Sequence, residues 1–131
     1  VSVASQYDVK VYKLQDLLPE SEITSVYKKR AIELVVQKAS GKLIVTTDAD
    51  CRVPVSWINN IAEAYEQTSC KLIAAPVLLV QDESFFENFQ VLDFCGMQAI
   101  TGASLHSGLY NMANGANLAY EKDAFTAVNG S

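Results

Sequence analysis

The chain has 131 residues, 50% of them hydrophobic, and a net charge of −5 with a pI near 4.7. That is one domain's worth of sequence with apolar side chains enough for a core. Its acidity speaks against binding a nucleic-acid backbone, which needs clustered Lys and Arg, and a single histidine beside three scattered cysteines speaks against a Cys/His zinc centre.

Cys51, Cys70 and Cys95 lack CxxC spacing and read as free thiols of a reducing compartment, hence a cytoplasmic location. Attachment to the inner face of a membrane is expected only through segments outside this chain. The apolar run at residues 72–80 is too short to cross a bilayer, and residues 1–13 have neither the basic start nor the apolar block of a signal peptide.

In chain order, Val9, Val11, Tyr12 and Leu14 form an imperfect period-2 pattern and predict a first strand. Pro19 and its polar neighbours then break the pattern into a connection at residues 15–25. From residue 25 to 40, Ala31, Ile32, Leu34, Val35 and Ala39 recur at helical spacing, with Gly41 as the stop. Residues 43–47 make the continuous apolar run of a strand buried on both faces. Pro54 and Ser56 introduce a second helix with Trp57, Ile58, Ile61, Ala62 and Tyr65 on one face. A third strand comes next in "KLIAAPVLLV", with Pro76 at an edge or bulge. Phe85, Phe89, Leu92 and Met97 fall at helical spacing, and Phe85 and Phe89, with Trp57, read as core. The stretch at residues 101–117, rich in Gly, Ser and Asn, is expected to be a mobile or ligand-facing loop; its lone His106 is read as incidental. A short strand at residues 117–120 and a helix from about Lys122 close the chain. Alternating helices and strands predict a layered α/β fold with a mostly parallel central sheet, residues 43–47 among its central strands.

In such sheets ligands bind beyond the C-terminal ends of strands, which is where Asp48 and Asp50 stand. The plain structural alternative is that Asp50 caps a turn and Asp48 is a solvated strand end. Two carboxylates held this close repel one another unless a cation intervenes. Their hard oxygens suit Mg²⁺ or Mn²⁺ when phosphates supply further ligands. Phosphatases of the haloacid-dehalogenase type require Thr or Val where this chain has Arg52. Toprim sites require Gly where it has Val53.

The block "KKRAIELVVQKASGKLIVTTDADCRVPVSWINNIAEAY" resembles the central block of family 2 glycosyltransferases of the GT-A fold. A helix-opening Lys, a strand delivering D-A-D and a Trp-Ile pair come in the family's order. Further on, "NMANGANLAYEKDAFTAVNG" is similar to the family's "G-x-N-x-A-y-r-r-x-a-F-x-x-v-G-G". Departures are Tyr27 for the usual Gly before Lys28, and Asn129 in the closing Gly pair. There is also no copy of the family's opening nucleotide-binding strand before Lys28. The resemblance implies that residues 1–131 are one partial catalytic domain, a middle fragment whose catalytic base lies beyond Ser131 and which is inactive alone.

It further implies transfer of a sugar from a nucleoside-diphosphate sugar to a hydroxyl of a carbohydrate or lipid-linked acceptor, inverting and metal-dependent. Asp50 would ligate a divalent cation (Mg or Mn), with Asp48 deeper, toward the ribose or the metal's outer ligands. Lys28 would contact the nucleotide, while Asn114, Gly115 and Asn117 would line the sugar and acceptor pocket, Gly115 by a backbone conformation that a side chain forbids. Arg52 is placed equally at the diphosphate or at the surface, and Cys51 reads as a small packing residue. A non-catalytic nucleotide-sugar-binding remnant of the same fold, or less well a Mg-dependent phosphatase, is the alternative.

Overall fold

The computed structural model describes residues 6–13, 27–79, 84–109 and 113–128, without the side chains of residues 27 and 28. Its elements are α1 (Tyr27–Lys38), β1 (Leu43–Thr46), α2 (Trp57–Thr68), β2 (Leu72–Ala74), α3 (Phe85–Ser107), a 3₁₀ turn (Gly115–Asn117), β3 (Leu118–Glu121) and α4 (Lys122–Ala127). The two helices and the strand expected around the aspartates are present, as are the short strand and helix near the end. The connection expected at residues 15–25 lies outside the described residues. The expected first strand is not seen: residues 9–13 are irregular, and Leu14 lies outside the description.

The sheet corrects the expected topology. Among the described residues it has three strands in the order β1-β3-β2. β3 is antiparallel to both neighbours, Leu43 facing Glu121 and Thr46 facing Leu118 on one side, Leu72 facing Tyr120 and Ala74 facing Leu118 on the other. β1 and β2 therefore run in the same direction, and α2 supplies the crossover connection that parallel strands need. β3 enters between them and leaves β1, expected in the centre, at the edge of this sheet.

The core forms around β3. Ala119 is 1% exposed and Tyr120 8%. As consecutive strand residues they face opposite sides, so the sheet is covered on both. Tyr120 stacks on Phe125 of α4, ring centroids 5.1 Å apart. Val36 of α1 and Ile61 of α2 are the buried helical residues.

α2 lies along β3. The Trp57 indole N–H donates to Asn117 Oδ1 at one end, 2.9 Å away, and the Tyr65 hydroxyl donates to Glu121 at the other. The helix between Trp57 and Tyr65 rises about 12 Å, and the strand between Asn117 and Glu121 about 13 Å. The two spans match, so both ends can be tied without bending either element. Lys122 Nζ donates to Ala39 O at 2.7 Å, satisfying a carbonyl just past the end of α1.

α3 begins with a capping box, Ser84 Oγ accepting from the Glu87 N–H and Glu87 accepting from Ser84 N–H. It runs to Ser107, so residues 101–107, expected as loop, are helical. Its Phe85 and Phe89, read as core, are 89% and 62% exposed; Val91, Phe94, Gln98 and Leu105 are half-buried instead. Among the described residues no helix is long and apolar enough to cross a membrane.

Candidate functional site

The strand register brings three chain segments to one edge of the sheet. Thr46 ends β1 and Ala74 ends β2, and both pair with Leu118, which opens β3. The loops leaving the first two strands and the turn entering the third must therefore meet there. They enclose a cleft of about 740 Å³, within the roughly 300–1,000 Å³ typical of small-molecule sites.

One wall is the loop after β1. Thr47, Asp48, Asp50, Cys51 and Arg52 line the cleft, and a turn closes between them, Cys51 N–H donating to Asp48 O at 3.1 Å. Asp48 is half-buried and Asp50 exposed. Both lie off any helix and just past the strand, as the sequence predicts. Cys51, expected as packing, is half-buried in this wall. Cys51, Cys70 and Cys95 are all free.

The floor is the turn before β3. Asn114 Oδ1 accepts from Ala116 N–H at 3.0 Å, holding the turn. Thr46 Oγ1 donates to Gly115 O at 2.8 Å and so ties the floor to the last residue of β1. Asn114 and Asn117 line the cleft beside the aspartates. Gly115 departs from expectation: its φ is not positive and a Cβ there would meet no atom within 4 Å. No forbidden conformation requires glycine here, where the residue simply takes its place in a short 3₁₀ turn.

The opposite wall, Pro76 to Leu79, comes directly after β2. Gln98 of α3 holds it by a paired amide contact, accepting from Val77 N–H at 2.8 Å and donating to Val77 O. Among the described residues no strand pairs with Val77, and this side-chain amide takes that place. Sequence reasoning missed Thr46, Gln98 and the cleft-lining place of Trp57. Helical spacing put Trp57 on a core face, and only its indole bond to Asn117 reveals where the ring turns. Nothing in the local sequence marks Thr46 or Gln98.

Lys28 lies in the first turn of α1, and its side chain is outside the described residues. Among the described residues, the charged ones lining the cleft are Asp48, Asp50 and Arg52. Among the described residues no group of three or more His, Cys, Asp or Glu side chains gathers to hold a metal. Two carboxylates on an open wall nevertheless fit Mg²⁺ or Mn²⁺, which keep several waters and take phosphate oxygens from the substrate instead of a full protein cage.

The model of the family described as Glycosyl transferase family 2 matches residues 24–122, a span that takes in all three walls of the cleft. No curated protein and no solved structure matches the chain.

Proposed function

The chain belongs to glycosyl transferase family 2, and from that membership we propose that its cleft receives the diphosphate of a nucleoside-diphosphate sugar during sugar transfer to an acceptor hydroxyl. The observation that supports this most is the convergence of Asp48 and Asp50 with the turn before β3 around one cleft. The acceptor, a carbohydrate or a lipid-linked one, presents its oxygen to the anomeric carbon on the face opposite the leaving group. A bond forms there, the bond from that carbon to the diphosphate oxygen breaks, and its electron pair leaves with the diphosphate; the configuration inverts. The hydroxyl proton passes to a base, a role assigned to no residue of the cleft.

In this reading Asp50, exposed at the rim, ligates a divalent cation, Mg²⁺ or Mn²⁺, and Asp48 stands deeper, toward the ribose or the ion's outer waters. When bound, such an ion supplies Lewis-acid stabilisation of the leaving diphosphate, worth several kcal/mol. Arg52 adds positive charge on the same wall, and Lys28 is assigned to the nucleotide. With two protein carboxylates as ligands, metal alone binds weakly. A nucleotide that supplies further oxygens binds together with it, each raising the other's affinity by the same factor.

Calorimetric titration of nucleoside diphosphate with and without Mn²⁺, on wild type and Asp50→Asn, tests this. The expected result is strong mutual enhancement in the wild type and none in the variant, with the fold retained because Asp50 is exposed. Equal nucleotide affinity in all four titrations would reduce the aspartate pair to a turn.

A further inference from the structure

Asn117 stands in the cleft with its side-chain amide already engaged. Oδ1 accepts from Trp57 Nε1 at 2.9 Å, and Nδ2 donates to Pro76 O at 2.8 Å. Its backbone carbonyl accepts from Ala75 N–H at 3.0 Å. These bonds reach two different walls. Trp57 opens α2 directly after the loop that carries Asp48 and Asp50, and Pro76 opens the wall after β2. The floor from which Asn117 projects is itself fixed to β1 through Thr46 and Gly115.

The geometry points to Asn117 as the positioning residue of the cleft, setting the separation between the aspartate loop and the Pro76 wall by acting through Trp57 and Pro76. The inference rests on the glycosyltransferase reading of the cleft, and it gives Asn117 a different task from the sugar contact that the sequence resemblance implies. An amide suits the position because one planar group offers an acceptor to the indole and a donor to the carbonyl. A carboxylate retains only the acceptor. None of the bonded groups belongs to the set of fully buried residues, so the clasp serves the walls more than the core.

Trp57 is the sole tryptophan of the chain, and its fluorescence therefore reports on the surroundings of this one indole. The probe is Mn²⁺ with inorganic diphosphate, titrated by calorimetry on the folded protein, with melting temperature recorded separately. Asn117→Leu should shift the Trp57 emission and weaken probe binding roughly ten- to a hundredfold, the scale at which a misplaced site loses function. Trp57→Phe, which removes only the indole tie, should weaken it less, and the double variant no further than Asn117→Leu, because Asn117→Leu already breaks that bond. Asn117→Asp should keep the wild-type emission while losing the Pro76 tie, with an affinity between wild type and Asn117→Leu.

If Asn117→Leu does not fold, Asn117→Asp and Trp57→Phe decide: unchanged probe affinity in both overturns the inference. So does a lowered melting temperature with unchanged affinity, or independent losses that multiply in the double variant. In each of those cases the loss of binding in Asp50→Asn leaves the glycosyltransferase reading standing. A wild type that binds no probe removes that reading, and the positioning role with it.

Discussion

At residue 115 a family pattern and the local backbone give different reasons for the same glycine. The pattern implies a conformation closed to side chains, whereas the structure shows an ordinary turn with open space where a Cβ would go. Gly115→Ala is therefore expected to fold, and to gain about 0.4–1 kcal/mol from a less flexible unfolded chain. Ser69 is the converse. It ends α2 in the left-handed region at φ 51°, where a Cβ is penalised, so Ser69→Gly should stabilise by up to about 1 kcal/mol. Urea denaturation of both variants checks the pair. A clear loss of stability in Gly115→Ala would mean that the turn does need glycine.

The elements are joined by polar ties at their ends, and one of them is sensitive to pH. Glu121, at the end of β3, accepts the Tyr65 hydroxyl of α2 and lies 3.5 Å from Lys42 Nζ beside β1. The Tyr65 hydrogen bond, with help from Lys42, holds the Glu121 carboxyl below the usual carboxylate range. A depressed carboxyl contributes stability above the ordinary value, about 4.3, and the contribution is lost as pH falls through the lower, folded value. Tyr65, then Glu121, hold the Lys42 ammonium above its usual value. That contribution is complete below about pH 10.4 and is lost as pH rises through the folded value. Burial also pushes the Tyr120 hydroxyl up, so ionising it at high pH opposes folding. Melting temperature should therefore be flat through neutral pH and fall at both extremes. Tyr65→Phe should lower the plateau and flatten the acid limb; an unchanged acid limb would show that Glu121 does not draw on this contact.

For the molecule as a whole, the sequence disclosed what is local and withheld what is distant. The helix periods around Ala31 and Ile61, the apolar run into Asp48 and the strand before Lys122 were all legible. So was the meeting of Asp48 and Asp50 with Asn114 and Asn117, through the family pattern. The antiparallel entry of β3 was not, because strand order depends on pairing between residues far apart and leaves no local mark. Nor was the outward face of α3 legible: a helix with Phe, Leu and Met around much of its circumference does not announce which side packs. Trp57 was misread for a related reason, since periodicity assigns a residue to a face but not its polar atom to a partner.

The central position of β3 has a consequence for how the chain acquires its shape. β1 and β2 do not pair with each other, and Thr46 meets Leu118 across a separation of 72 residues. Among the described residues, neither early strand has a ladder partner until the ribosome has released residues 118–121. Contacts of such high order are slow to close, whereas helices form within microseconds. Refolding should accordingly show helical circular dichroism recovering before the amides of Leu43–Thr46 become protected in pulsed hydrogen exchange. A chain ended after residue 113 should retain helical signal yet leave those amides unprotected. Protection of β1 in that shortened chain would show that the strand has another partner, and that β3 joins the sheet without organising it.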